Sequence, residues 1–421
     1  MESEFAHFYK RSRAERLALL AQHRELTPAM VQLLSDRAAQ GDAQQLIEND
    51  ITAFQLPEGV AVNLMVNQRE LVVPMVTEEP SVIAAASNGA KQLAKAGGIQ
   101  ATVQSRLLMG QVVLSHVKVF ASVDDWVALH QTELLEVAAQ AHPSIVKRGG
   151  GPRKLRTRDL GDGYVSIDLF ADVQAAMGAN MLNTMLEAIA TVVQTKLQQP
   201  LFSILSNAAD QSLATATCRI PQSQLPAGVA ERIAQASEVA QLDPYRAVTH
   251  NKGIMNGVDA VVIAMGNDWR AIESAAHAYA ATSGQYRGLS QWNLEGDDLV
   301  GELTLPLPVG TVGGATAVLP LVKINQQLAE TNTPEELMQV IVSVGLAQNF
   351  AALNALVTSG IQRGHMKMQR RSLALSVGAL ANEIDAVVTQ LDAVKDPDEA
   401  AARRILQQLR TQTKDDNDAK H

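Results

Sequence analysis

Four short segments of this chain hold side chains whose types and spacing could do chemistry. Glu78 and Glu79 stand before Pro80-Ser81, where an Ala-rich apolar stretch begins. Adjacent carboxylates there commonly complement a helix dipole; a glutamate buried beside the apolar helix would instead have a raised pKa and serve as a proton donor. Lys252 lies between the polar run 249–251 and Gly253, and Asp268 follows the apolar run 258–264. Such a lysine is most often a surface loop cation, whereas a turn returning Asp268 to it would make a fixed positive charge able to stabilise an oxyanion. His365, between Gly364 and Met366, is either an ordinary exposed histidine or a proton donor on a closing flap. Residues 176–180 (AMGAN) form a strand-to-helix junction of small residues, where a helix N-terminus suits a phosphate. The glycines 149–151, set among arginines, and the run 310–314 (GTVGG) are two further anion-site candidates. None of these is the G-x-G-x-x-G fingerprint of a Rossmann domain.

The elements that must position these groups are partly readable. Residues 13–23 have helical spacing, and Thr27-Pro28 reads as an N-cap with Pro at the first helical position. Val60, Val62, Leu64 and Val66 alternate as a strand, which Asn67-Gln68 turns back into 71–76 as a hairpin. Residues 81–96 are expected to be a helix stopped by Gly97-Gly98. A strand is expected over 111–120, a helix over 126–141, a basic loop or edge strand over 147–158, a strand through Val165, Ile167 and Leu169, and a long helix from Gly178 onward. That succession reads as a separate α+β unit over 106–210, inserted in a larger body formed by 1–105 and 211–364. A buried strand is expected over 258–264. Helical patterns follow at 373–391 and 399–409, within a C-terminal segment 365–421.

Composition narrows the class. A chain of 421 residues, 47% hydrophobic, suits two or three domains with sizeable cores. Its net charge of −9 opposes general nucleic-acid binding, which needs a positive field. The basic run 147–158 also lacks interleaved aromatics for stacking on bases. Cys218 is the single cysteine, so no intrachain disulfide and no thiolate metal cage is expected. The N-terminal residues carry acids without a continuous apolar core, so no secretory signal is expected. Polar residues interrupt the apolar stretch 338–357, which reads as a buried helix rather than a membrane span. A cytoplasmic protein without a membrane partner is the expectation.

Taken together, the blocks 48–67, 73–87, 175–185, 243–280, 305–316, 344–356 and 358–366 resemble the soluble, bacterial-type (class II) hydroxymethylglutaryl-coenzyme A reductases, in that family's order. The resemblance implies a large mixed helix and sheet domain, an inserted ferredoxin-like, non-Rossmann domain that binds the cofactor, and a mobile helical C-terminal flap. It implies that Glu79 donates a proton to the reacting oxygen and that Lys252 polarises the thioester carbonyl and then the aldehyde. By the same resemblance Asp268 tunes that lysine, and His365 protonates the departing coenzyme A thiolate. Ser81, Arg246 and Asn256 match positions that hold the hydroxymethylglutaryl group, and Asn207 matches a polar partner near the lysine. Met177, Gly178 and Asn180 match the cofactor-binding motif. The implied reaction is two hydride transfers that convert hydroxymethylglutaryl-CoA (HMG-CoA) to mevalonate and free CoA. Catalytic sites are expected at the interface of a homodimer or higher homo-oligomer, with no metal.

Two positions bear on the cofactor. The resemblance implies an acid directly before AMGAN, where this chain has Ala175, so one cofactor contact is either missing or supplied elsewhere. NADH-preferring relatives place an aspartate where this chain has His142, with Lys147 and Arg148 close by. An uncharged or basic neighbourhood suits a 2′-phosphate, so NADPH is expected, with an NADH enzyme running degradatively as the alternative. A non-catalytic acyl-CoA binder is the remaining competitor, and the presence of Glu79, Lys252, Asp268 and His365 counts against it.

Overall fold

The computed structural model describes residues 4–40, 46–358, 360, 370–394 and 397–418. After helices α1 (Arg13–Arg24) and α2 (Pro28–Gln40) comes a hairpin of β1 (Glu58–Val66) and β2 (Arg69–Val76). Asn67 and Gln68 both take positive φ, 49° and 67°, as a two-residue turn matched to strand twist requires. Helix α3 (Val82–Lys95) buries Val82, Ala86, Ala90 and Leu93, one face at a spacing of three to four. β3 (Gln100–Val103) then leads out of the first body.

The next segment has its own core. β4 (Leu107–Leu114), α4 (Phe120–Ala141), α5 (Pro143–Val146), β5 (Gly151–Gly161), β6 (Tyr164–Asp172), α6 (Ala179–Lys196) and β7 (Phe202–Leu205) follow in order. The strands form one antiparallel sheet in the order β5-β6-β4-β7, so the basic run is a turn over 147–150 and an edge strand from Gly151 on. Helices α4 and α6 pack on it around Val112, Ile167, Leu169, Leu182 and Ile189. The strand expected over 111–120 ends at Leu114, and Phe120 already opens α4.

The chain returns through β8 (Leu213–Pro221), α7 (Val229–Leu242), α8 (Pro244–Ala264), α9 (Trp269–Ala280), β9 (Ser290–Glu295), β10 (Asp298–Pro306), α10 (Pro320–Leu328) and α11 (Pro334–Val357). A second antiparallel sheet, β3-β8-β10-β9, packs with α3, α7 and α8 around α11. Every pairing in the named sheets is antiparallel, which excludes a parallel doubly wound sheet among the described residues. Helix α11 is long and apolar enough to cross a membrane, but 72% of its most apolar window is buried inside the protein, in keeping with the interrupted pattern of 338–357. Two more helices, Ile384–Leu391 and Glu399–Asp418, share a small core of Val387, Leu391, Ala402 and Ile405.

One expectation fails outright. Residues 258–264 are not a strand but the last two turns of α8. A short apolar run cannot distinguish strand from buried helix. Here the buried positions continue upstream through Ala247, His250, Asn251, Ile254 and Met255, and that longer helical period decides the matter.

Candidate active site and cofactor cleft

Three glycine-rich segments that are separate in sequence meet at one cleft of about 470 Å³. Its walls are Ala176 to Met181, the turn Gly266-Asn267-Asp268 with Arg270, and the loop Gly310 to Thr316. Met177, Gly178 and Asn180 therefore stand with Asp268 and the 310–314 glycines around one space. Gly178 has φ of 93°, and a Cβ there would lie 2.3 Å from Val173 Cγ1, so only glycine fits this entry to α6. Among the described residues no side chain caps that helix start, which leaves first-turn N–H groups for an anion. The triglycine does not line this cleft but packs against the end of β6. A Cβ on Gly150 would lie 2.7 Å from Asp172 O and from Gln174 Cγ, just ahead of AMGAN. His142, Lys147 and Arg148 flank it: His142 is half-buried with Nδ1 3.2 Å from Ser144 Oγ, and both cations are exposed.

Arg246, Lys252 and Asn256 all lie on α8; Lys252 and Asn256, four apart, are neighbours on one face, with Arg246 about 80° round the helix from Asn256. Asp243 starts the helix by accepting from the backbone N–H groups of Tyr245 and Arg246. Two buried residues before the lysine hold the helix in place. His250 Nε2 lies 2.6 Å from Ser290 Oγ, and Ser290 Oγ and Trp292 Nε1 both donate to Asn349 Oδ1. Asn251 donates to Arg287 O and accepts from Leu289 N–H, both at 2.8 Å. Lys252 is thereby exposed, and beside it Gly253 faces open space. The Arg246 guanidinium is half-buried without a hydrogen bond or ion pair to any described residue, and burial lowers its pKa. An unpaired guanidinium in that setting suits a carboxylate.

Glu79 sits between β2 and α3, both of which pack against α8. Ser81 donates to Glu79 Oε1 at 3.2 Å, and Thr77 Oγ1 accepts from the Glu79 N–H. Ser81 is the N-cap residue and no acid lies in the first turn of α3, so the two glutamates are not dipole partners inside the helix. Glu78 is exposed and Glu79 half-buried.

Asp268 caps α9, accepting from Arg270 N–H and Ala271 N–H, and pairs with the Arg270 side chain. Burial pushes its carboxyl up, but the bonds from Arg270 and the cap outweigh this and hold it below the usual carboxylate value. It does not return to Lys252. Twelve helical residues, about 18 Å of axis, separate Lys252 from Ala264, and Asp268 lies beyond the helix end. The expected turn between them is corrected by the same continuity of α8 that removed the strand. Asn207 is exposed on the segment between β7 and β8, and no hydrogen bond joins it to Lys252. His365 lies outside the described residues. His250, Asn251, Asn267 and Arg106 are functional-site neighbours that sequence reasoning misses; the first three are polar residues beside glycine motifs, which is the only signal they carry.

The sequence model of the family described as hydroxymethylglutaryl-coenzyme A reductase matches residues 12–370. The chain is 39% identical over 392 residues to the 3-hydroxy-3-methylglutaryl-coenzyme A reductase of Archaeoglobus fulgidus, covering 91% of this chain and 90% of that one. Among solved structures it is similar to the Streptococcus pneumoniae 3-hydroxy-3-methylglutaryl-coenzyme A reductase, with TM-score 0.75 and 46% identity over 97% of this chain and 100% of the other. The class II enzyme of the same organism, bound to NADPH in open conformations, matches with TM-score 0.74 and 47% identity over 95% and 100%.

Proposed function

Since the chain belongs to the hydroxymethylglutaryl-coenzyme A reductase family, we infer that it reduces HMG-CoA to mevalonate and free CoA with NADPH. The observation that carries this reading is the cleft in which AMGAN, the 310–314 glycines and Asp268 converge. NADPH supplies the hydrides when bound. The open helix start at Gly178 fits its phosphates, and the ferredoxin-like unit with His142, Lys147 and Arg148 offers a 2′-phosphate no opposing acid at those positions. Arg246, with Ser81 and Asn256, holds the terminal carboxylate and hydroxyl of the substrate. Lys252 stabilises the oxyanion that forms on the thioester carbon, and Glu79 supplies the proton to the reacting oxygen. His365 gives the leaving thiolate its proton, carried on a C-terminal flap that closes from residue 365 onward.

The separation along α8 supports a homodimer, or a higher homo-oligomer, with shared sites. Lys252 of one subunit meets Asp268 of the partner subunit, and Asn207 joins them there. The exposed Tyr245, Val248 and Trp269 beside these residues are apolar area that such an interface would cover. A soluble, cytoplasmic enzyme with HMG-CoA, mevalonate and CoA as its small-molecule partners follows. The test is oxidation of NADPH and NADH with HMG-CoA by the purified chain. Turnover with a preference for NADPH is expected, and bound but unreduced HMG-CoA would instead make the chain an acyl-CoA binder.

A further inference from the structure

We propose that Asn267 is a positioning residue for the cofactor: by clamping Gly310 it sets the depth of the cleft between Met177 and Asp268. This rests on the reductase reading for the identity of the ligand, but its geometry is independent of it. The Asn267 side chain uses both ends of its amide. Oδ1 accepts from Gly310 N–H at 2.8 Å, while Nδ2 donates to Gly310 O at 3.0 Å and to Met265 O at 3.1 Å. This reciprocal pair pins the backbone of the 310–314 loop to the residue adjoining Asp268.

Gly310 transmits that placement to the opposite wall. A Cβ there would lie 2.3 Å from Met177 N and 2.6 Å from Ala176 C, so the two backbones touch only because position 310 has no side chain. Beyond this contact Thr311 N–H donates to Ala175 O at 2.8 Å, and Ala176 bridges Val312 in parallel. From the other side Arg106, at the crossing into the small unit, donates to Gln174 O at 2.6 Å and Val309 O at 3.0 Å. All three walls of the cleft are thus in register through Asn267 and Arg106. The same bonds bear on Ala175, which stands where the family resemblance implies an acid. Position 175 contributes its carbonyl, which every residue has, and it is not among the residues lining the cleft.

The experiment is equilibrium titration of NADPH, followed by nicotinamide fluorescence, on the full chain and on Asn267→Ala and Asn267→Asp, with HMG-CoA affinity measured by calorimetry on the same samples. Loss of the clamp should weaken NADPH about tenfold, as expected for the loss of one to two net hydrogen bonds, and leave HMG-CoA affinity unchanged. The aspartate keeps the acceptor for Gly310 N–H but opposes Gly310 O while ionised. NADPH affinity of that variant should therefore recover as the pH is lowered, whereas the alanine variant should show no such recovery. Unchanged NADPH affinity in the alanine variant, or parallel weakening of both ligands, would overturn the proposal. If the alanine variant does not fold, Gly310→Ala keeps Asn267 and only spreads the two loops, and the same split between ligands is expected. A wild-type chain that binds NADPH without oxidising it refutes the reductase reading and leaves this comparison of affinities intact.

Discussion

Arg246 and His250 occupy successive turns of α8, and neither has a counter-ion among the described residues: the guanidinium is unpaired and His250 Nδ1 is buried without a hydrogen-bond partner. Replacing Arg246 by alanine therefore removes no native ion pair, and thermal stability should hold or rise. Affinity for HMG-CoA should fall ten- to hundredfold, the worth of about 1.5–3 kcal/mol for a charge-assisted bond. Steady-state KM and a melting curve check both halves, and a fall in stability without a rise in KM would make Arg246 a structural residue.

Burial, with Arg246 alongside, depresses the His250 pKa from 6.5 to about 3. A neutral buried histidine binds fewer protons in the folded state than in the unfolded one. Its contribution to stability is complete above pH 6.5 and is lost as the pH falls toward 3. Melting temperature against pH should drop across that window, and less steeply in His250→Gln.

Asp259 titrates in the opposite sense. Burial, followed by its contact with Glu273, raises its pKa from 3.8 to about 8. The folded state then binds more protons than the unfolded, so stability falls as the pH rises from about 4 to about 8. Asp259→Asn should match the wild type at about pH 4 and melt a few degrees higher at about pH 8. Equal melting at both pH values would mean that the carboxyl is ionised in the native protein.

Since α8 keeps Lys252 from its own Asp268, Lys252→Ala and Asp268→Asn should each cut turnover about a hundredfold or more yet complement one another. In a refolded equimolar mixture half the dimers are mixed, and each has one intact site, so about a quarter of wild-type activity should return. No recovery would place both residues of a site on one chain. Lys252→Ala alone should lower kcat about a hundredfold to a thousandfold at unchanged melting temperature, because the residue is exposed and the helix is anchored by His250 and Asn251.

Cys218 is buried in β8, and burial raises its thiol pKa to about 12. Thiol-directed alkylation should leave the native protein unlabelled and active, and should add a single label after denaturation. Labelling of the folded chain would show that the β8–β10 pairing opens.

Local rules make much of this molecule legible from residue order alone. The Asn67-Gln68 hairpin, the helix halted by Gly97-Gly98, the Thr27-Pro28 helix start and the buried character of 338–357 follow from φ preferences, capping and periodicity, all properties of neighbouring residues. The motifs holding Lys252, Asp268 and AMGAN are likewise readable, because polar side chains cluster there with glycine in short blocks, and Glu79 stands out as an acid before Pro80-Ser81 at a helix start. Tertiary structure alone decides three things. Residues 258–264 are helix because buried contacts extend through two upstream turns. Lys252 and Asp268 are set apart because that helix is continuous. The three glycine segments become one cleft through Asn267, Gly310 and Arg106, whose bonds cross from 43 to 203 positions of sequence. Residue order carries no direct record of contacts at that range, so only the folded backbone brings them together.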